Sequence, residues 1–167
     1  GPKMWSMAKP PAKRLVFLAL SLGWMGLIFA FSAQVASESS QLSGGFIEAV
    51  LGLLSPDFDQ LEPERRIQQV DSLQALVRKG AHMGVYALLG IWVAGFMSTY
   101  LPAGLRLFVL SLAVCAIYAG SDEVHQLFVP GRSGELRDVA IDSLGASLGI
   151  GLYMLADYVN KRRRRNG

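Results

Sequence analysis

Cysteine is nearly missing from this chain: Cys115 is the sole one, set inside an apolar run. That excludes a disulfide framework and a cysteine-built zinc site, and a lone thiol in such surroundings reads as packing. Charge is scarce too. Charged residues make up 17% of the sequence, against about 25% in an ordinary soluble domain. The sequence has no Gly-x-Ser-x-Gly elbow, no His-Glu-x-x-His pair and no phosphate loop, so the common signatures of serine hydrolases, zinc proteases and nucleotide-binding proteins are absent. It has no internal repeat and none of the alternating segments that a transmembrane β-barrel requires.

Apolar side chains are what the sequence has in excess, at 51% of 167 residues. They gather into four runs: Leu15 to Phe31, Ala81 to Tyr100, Leu105 to Ser121 and Val139 to Tyr158. Each is near the roughly 17–25 residues that a helix needs to cross the hydrocarbon of a bilayer. In lipid every backbone N–H and C=O must be bonded within the protein, which leaves helices as the economical reading. The sequence therefore predicts an all-α membrane protein with four transmembrane helices. Gly1-Pro2 has the look of a protease-cleavage scar, and the first run lacks a small-x-small cleavage site, so it reads as a retained helix. The expected organisation is a cytoplasmic N-terminus over residues 1–14, a membrane domain over 15–158 with an outer loop at 32–77, and a basic cytoplasmic tail at 159–167.

Orientation follows from lysine and arginine. Lys3, Lys9, Lys13 and Arg14 precede the first run, Arg106 sits by the short turn between the second and third, and Lys161 to Arg165 follow the fourth. The loop between the first two runs is acidic on balance, with Glu38, Glu48, Asp57, Asp59, Glu62, Glu64 and Asp71 outweighing Arg65 and Arg66. The positive-inside rule then places both termini in the cytoplasm, N-in and C-in. The terminal arginines read as an orientation and lipid-contact signal, not as a nucleic-acid site. Within the extracytoplasmic loop, residues 45–54 are apolar enough to lie on the membrane surface. From Pro63 onward Ile67, Val70, Leu73, Leu76 and Val77 recur at helical spacing, so this loop is expected to be helical and to lead directly into the second span.

A charge at membrane level is costly, by about 2.5–3.5 kcal/mol at the centre of a helix on insertion scales, so intramembrane polar groups call for an explanation. Here they collect at the outer ends of three spans. Arg78, His82 and Tyr86 are spaced i, i+4, i+8 on one helical face. Tyr118, Asp122 and then His125 or Gln126 follow the same spacing if the third helix persists, with Glu123 pointing elsewhere. Asp138 and Asp142 are one turn apart, and Gly145 and Gly149 continue their face, where they would let a neighbouring helix approach closely. Packing these faces inward yields a shared pocket of His82, Asp122, His125, Asp138 and Asp142. Arg78, Lys79 and Arg132 stand at its rim, and Ser32 and Gln34 enter from the first span. Pro130, Gly131 and Gly134 break any helix across 128–134 and make that segment a turn or lid. Three readings fit such a cluster. It can be an ion-paired network that holds the helices together. It can bind a polar head group through its cations. It can be catalytic, with histidines and carboxylates as general acid and base, or as ligands of a divalent metal, for which Asp122-x-x-His125 is a weak signal.

The same residues resemble the VanZ-like family of small bacterial membrane proteins. The matching pieces are Phe31-Ser32-Ala33-Gln34; Arg78-Lys79-Gly80-Ala81-His82 with Tyr86 and Leu88-Leu89-Gly90; Ser121 through Arg132; and Asp138 through Ala146. The stretch from Asp122 to Arg132 is the most specific. Members often carry a glutamate just before the tyrosine of the second span, where this chain has Val85, and often an asparagine at the position of Asp142. The resemblance implies a multi-pass protein of the bacterial plasma membrane with a cell-envelope role. The founding member is linked to resistance to glycopeptide antibiotics, in particular lipid-tailed teicoplanin. The pocket is then expected to engage a lipid-like or lipid-linked molecule: the lipoglycopeptide, a cell-wall precursor or a phospholipid. The alternative is a membrane-embedded hydrolase or transferase acting on an envelope lipid or precursor. In it His82 or His125 would be the base, Asp122 or Glu123 the orienting or acid partner, and Arg132 the oxyanion or phosphate binder. Lys79, Tyr86 and Gln126 complete the expected substrate contacts. A transporter is less favoured, since four short helices offer no second half or broken-helix pair.

Overall fold

The computed structural model describes residues 12–33, 36–131 and 134–167, with backbone alone for 36–43. It contains α1 (Ala12–Ser32), α2 (Ala36–Leu54), α3 (Pro63–Met97), α4 (Leu105–Gln126) and α5 (Leu136–Asn166), with a 3-10 turn at Phe58–Gln60. No strand occurs among the described residues. Helices α1, α3, α4 and α5 are each long and apolar enough to cross a membrane, as a multi-pass membrane protein requires.

Local chemistry explains where the helices start and stop. Pro63 occupies the first turn of α3, where its missing N–H leaves no bond unmade. At about 1.5 Å per residue, the 35 residues of α3 far exceed the roughly 30 Å hydrocarbon thickness. The helix expected in the outer loop and the second span are therefore one continuous element. The second apolar run was expected to reach Tyr100, but the α-helix ends at Met97. The cause is local: the Ser98 hydroxyl donates to the Gly95 carbonyl and the Thr99 hydroxyl to that of Phe96. Such side-chain bonds compete with the helical ladder. Apolar residues 45–54 form the later part of α2, with Phe46, Leu53 and Leu54 exposed.

Cross-helix contacts fix the relative directions. Arg14 meets Thr99 and Trp24 meets Val85, so α1 and α3 are antiparallel. Met25 meets Tyr118 and Ser32 meets Asp122, so α1 and α4 run parallel. His82 meets Asp142 and Ser98 meets Tyr153, so α3 and α5 run parallel. Lys13 lies 5.8 Å from the Tyr153 ring centre, which brings the start of α1 and the later part of α5 to one end of the bundle. The polar cluster lies at the other end.

The tightest packing is between α3 and α5. Gly145 and Gly149 rest on the backbone of Met83 and Ala87, and Gly90 rests on Ala146; a Cβ at any of the three would collide with a carbonyl group. Between helices in lipid there is little hydrophobic drive, so such close backbone approach supplies the attraction through dispersion. This is the role expected of Gly145 and Gly149 from their spacing. The core beside them is Ile28, Tyr86, Leu89, Val93, Cys115, Ala119 and Ala146. Cys115 is fully buried there, as a packing residue. The outside is apolar: Val109, Val114 and Ile117 on α4 and Leu144, Leu148, Leu152 and Leu155 on α5 are all exposed. A belt of this kind would be an aggregation liability in water and suits contact with acyl chains.

Candidate functional site

Helix α4 persists more than a turn past Ser121, to Gln126. That extension carries Asp122, Glu123 and Gln126 inward, and all three are buried. Asp122 is gripped from two helices: its Oδ1 accepts the hydroxyl of Ser32 on α1, and its Oδ2 lies 3.4 Å from the Tyr86 hydroxyl on α3. One turn earlier on α3, His82 Nδ1 lies 3.2 Å from Oδ1 of Asp142 on α5. The i, i+4 spacing of His82 and Tyr86 thus lets α3 tie a carboxylate from each neighbouring helix. Asp142 has no solvent exposure, whereas the His82 side chain is 30% exposed. With Asp142 ionised, Nδ1 carries the proton of this bond and Nε2 remains for another partner. The second oxygen of Asp142 has no hydrogen-bond partner among the described residues. Asp138, one turn before it, is half-buried.

Glu123 departs from expectation. A helical wheel turns it away from Asp122, yet it is as buried as Asp122 and Gln126. Its Oε2 accepts the backbone N–H of Glu135 at 3.0 Å, while Oε1 is buried without a partner among the described residues. The chain returns across the end of α4 at this point. Gly134 permits the crossing, since a Cβ there would stand 2.8 Å from the Glu123 carbonyl oxygen. Gly131, with a φ of 74°, makes the turn that leads into it. Val129 is buried while Phe128 is 82% exposed. Glu123 thus clamps the covering loop, a contact that depends on chain return and leaves no trace in helical periodicity.

His125 also has a specific setting. Its ring stacks on Phe29 of α1, with centroids 4.2 Å apart and planes 20° from parallel, and its Nδ1 is buried without a partner. Asp122 and His125 both face α1, as their spacing suggested. Among the described residues no three His, Cys, Asp or Glu side chains are grouped to hold a metal ion. Lys79 and Arg78 are exposed, on the turn of α3 before His82. Gln34 and Arg132, expected at the site, lie outside the described residues. The structure thus brings together Ser32, His82, Tyr86, Asp122 and Asp142, with Asp138, Glu123, His125 and Gln126 on the same ends of α4 and α5.

Two supports were missed by sequence reasoning. The Trp24 indole N–H donates to the backbone carbonyl of Val85 at 2.9 Å, and the Tyr118 hydroxyl donates to that of Met25. Both stitch α1 to the helices that carry the cluster. Their only sequence signal is an amphipathic aromatic within an apolar run, whose polar tip must find a partner once buried.

Chemically, the cluster can do two things. It offers buried acceptors and an imidazole to a polar group that enters from the loop-covered end. It also presents a carboxylate–imidazole pair in which Asp142 orients His82, the arrangement of a general base. Neither a search of curated proteins nor one of solved structures returned a match. The family described as VanZ/LLP1 matches residues 17–157, from the second turn of α1 to the later part of α5. This chain therefore belongs to the VanZ-like family.

Proposed function

We propose that this protein spans the bacterial plasma membrane with both termini in the cytoplasm, and that its polar cluster faces the outer leaflet and receives the head of a lipid-like or lipid-linked molecule. The observation that carries this reading is Asp142: wholly buried, with one oxygen bonded to a partly exposed histidine and the other without a hydrogen-bond partner among the described residues. Leaving a buried acceptor unpaired costs about 1–3 kcal/mol, and a purely structural network would gain by removing it. A head group bearing hydroxyl, amide or ammonium donors satisfies that oxygen. Its tail would lie along the apolar flanks of the helices, and the exposed Lys79 would meet an anionic portion, with Arg78 and Arg132 as the further cations expected from the sequence. A lipid-tailed glycopeptide such as teicoplanin, a cell-wall precursor and a phospholipid all have this build. The family resemblance to a teicoplanin-resistance protein favours the first two.

Alanine at Asp122, His125 or Arg132 is expected to abolish protection of teicoplanin-treated cells while the protein still elutes as a folded species in detergent. Normal protection by all three folded variants would refute the pocket. A second reading has its own observation, the bond of Asp142 to Nδ1 of a partly exposed His82. In it His82 acts as base in a hydrolase or transferase, with Asp142 in the orienting role first assigned to Asp122. Purified protein would then turn over a lipid-linked substrate, and His82→Gln would retain binding but lose turnover. A pure binder shows no turnover in either form.

A further inference from the structure

The end of the bundle that carries both termini is rich in cations, but they are not equivalent. Arg14 is fully engaged: its guanidinium sits 3.9 Å from the Tyr100 ring centre and donates to the hydroxyl and carbonyl of Thr99. Lys161 is paired with Asp157 at 2.6 Å, one turn away on α5. Lys13 and Arg164 have no anionic partner among the described residues. Both line the same cleft of about 470 Å³ between α1 and α5.

That cleft has a built interior. Phe17 and Tyr153 meet edge to face, with ring centroids 5.9 Å apart. Lys13 stands 5.8 Å from each ring centre, held by the π faces and not by a carboxylate. Asp157 and Lys161 complete the wall, so three cations face one carboxylate. Because α5 continues as a helix to Asn166, the basic tail has distinct faces. Lys161 and Arg164 fall on the cleft side, whereas Arg162 and Arg163 line a separate hollow with Tyr158 and Val159. Further along each helix from this end, Val16 and Leu20 on α1 and Leu152 and Leu155 on α5 are exposed and apolar. An unpaired lysine over two aromatic rings with an unpaired arginine beside it, on helices with bare aliphatic surface further along, matches the charge and polarity profile of a phospholipid at the interface.

We propose that this cleft is a binding site for an anionic phospholipid, with Lys13 and Arg164 holding the phosphate and Phe17 and Tyr153 packing against the glycerol and upper acyl chain. It is separate from the polar cluster at the opposite end and does not depend on what that cluster binds.

The test is native mass spectrometry of the full chain in detergent, titrated with phosphatidylglycerol or phosphatidylcholine of the same acyl chains. The wild type is expected to retain the anionic lipid with a preference of about fivefold or more, because both lipids carry the phosphate but only in phosphatidylcholine does a choline ammonium offset its charge and oppose the two cations. Lys13→Gln with Arg164→Gln should bring the preference near parity. Arg162→Gln with Arg163→Gln removes the same charge from the other face and should leave it intact. Arg164→Gln alone, an exposed change in the last turns of α5, should give an intermediate loss even if the double variant folds poorly. Equal losses in the two double variants would mean diffuse attraction by the tail and would overturn the site. So would absence of any preference. Competition by glycerol 3-phosphate at the concentration at which the lipid binds would reassign the cleft to a soluble phosphate and overturn the lipid proposal.

Discussion

Asp142 is where the chemistry of single residues is most exposed to test. Its carboxylate is fully buried and, among the described residues, is held by one neighbour, His82. His82→Phe keeps a planar ring, slightly larger than imidazole, and removes the donor, leaving the buried carboxylate without this partner. Breaking a buried pair from one side costs about 3–5 kcal/mol, so thermal unfolding of the detergent-solubilised variant should fall well below that of the wild type. Asp142→Asn keeps an acceptor for His82 without the charge. Its stability should stay within about 1 kcal/mol of the wild type, the usual range of a conserved neutral hydrogen bond. If His82→Phe unfolds at the wild-type temperature, the pair does not join α3 to α5. The Ser32 hydroxyl is the corresponding hold on Asp122. Ser32→Ala should cost about 1–3 kcal/mol in the same measurement, because Asp122 is buried too tightly for water to replace the lost donor.

At the scale of the helices, close approach of small residues governs whether α3 and α5 meet. Gly149→Leu puts a branched side chain where even a Cβ strikes the carbonyl of Ala87, a backbone position that cannot yield, whereas Gly151 has open space around its missing Cβ. Gly149→Leu should therefore abolish the monodisperse peak in size-exclusion chromatography, and Gly151→Leu should leave it unchanged. This contact was legible in the sequence because Gly145, Gly149 and the polar Asp142 share one helical face, and periodicity reports faces faithfully. The apolar runs likewise identified all four spanning helices, since length and hydropathy alone select them. What periodicity does not contain is the rotation of one helix against another. It grouped His82 with Asp122 and Asp142 but pointed to Asp122 or Glu123 as the partner of the base, whereas the imidazole of His82 meets Asp142. It turned Glu123 away from the site, because the bond from Glu135 arises only when the chain folds back over α4. It was also silent on Trp24, whose partner is a backbone carbonyl 61 residues away.

For the whole molecule, the decisive quantity is which end faces the cytoplasm. The contact of Lys13 with Tyr153 puts the start of α1 and the later part of α5 at one end, as an even number of crossings requires. That end carries Lys13, Arg14, Arg106 and the five consecutive cations from Lys161 to Arg165, while the segment from α2 to the start of α3 holds most of the acidic residues. Translocating the basic end would oppose the positive-inside bias, which acts on short segments flanking spans. Asp57→Cys and Asn166→Cys, each at an exposed position, are expected to react with a membrane-impermeant maleimide from opposite sides, Asp57→Cys in intact cells and Asn166→Cys only after permeabilisation. Cys115 is fully buried in the core and should stay silent in folded protein, so no cysteine-free background is needed. Labelling of both from one side would break the even-crossing bundle and with it the convergence of Ser32, His82, Asp122 and Asp142. The opposite-sided but inverted pattern would keep the bundle and turn the polar cluster to the cytoplasm. There no externally added lipoglycopeptide could reach Asp142, and the outer-leaflet function would have to be given up while the structural pairing of its residues stood.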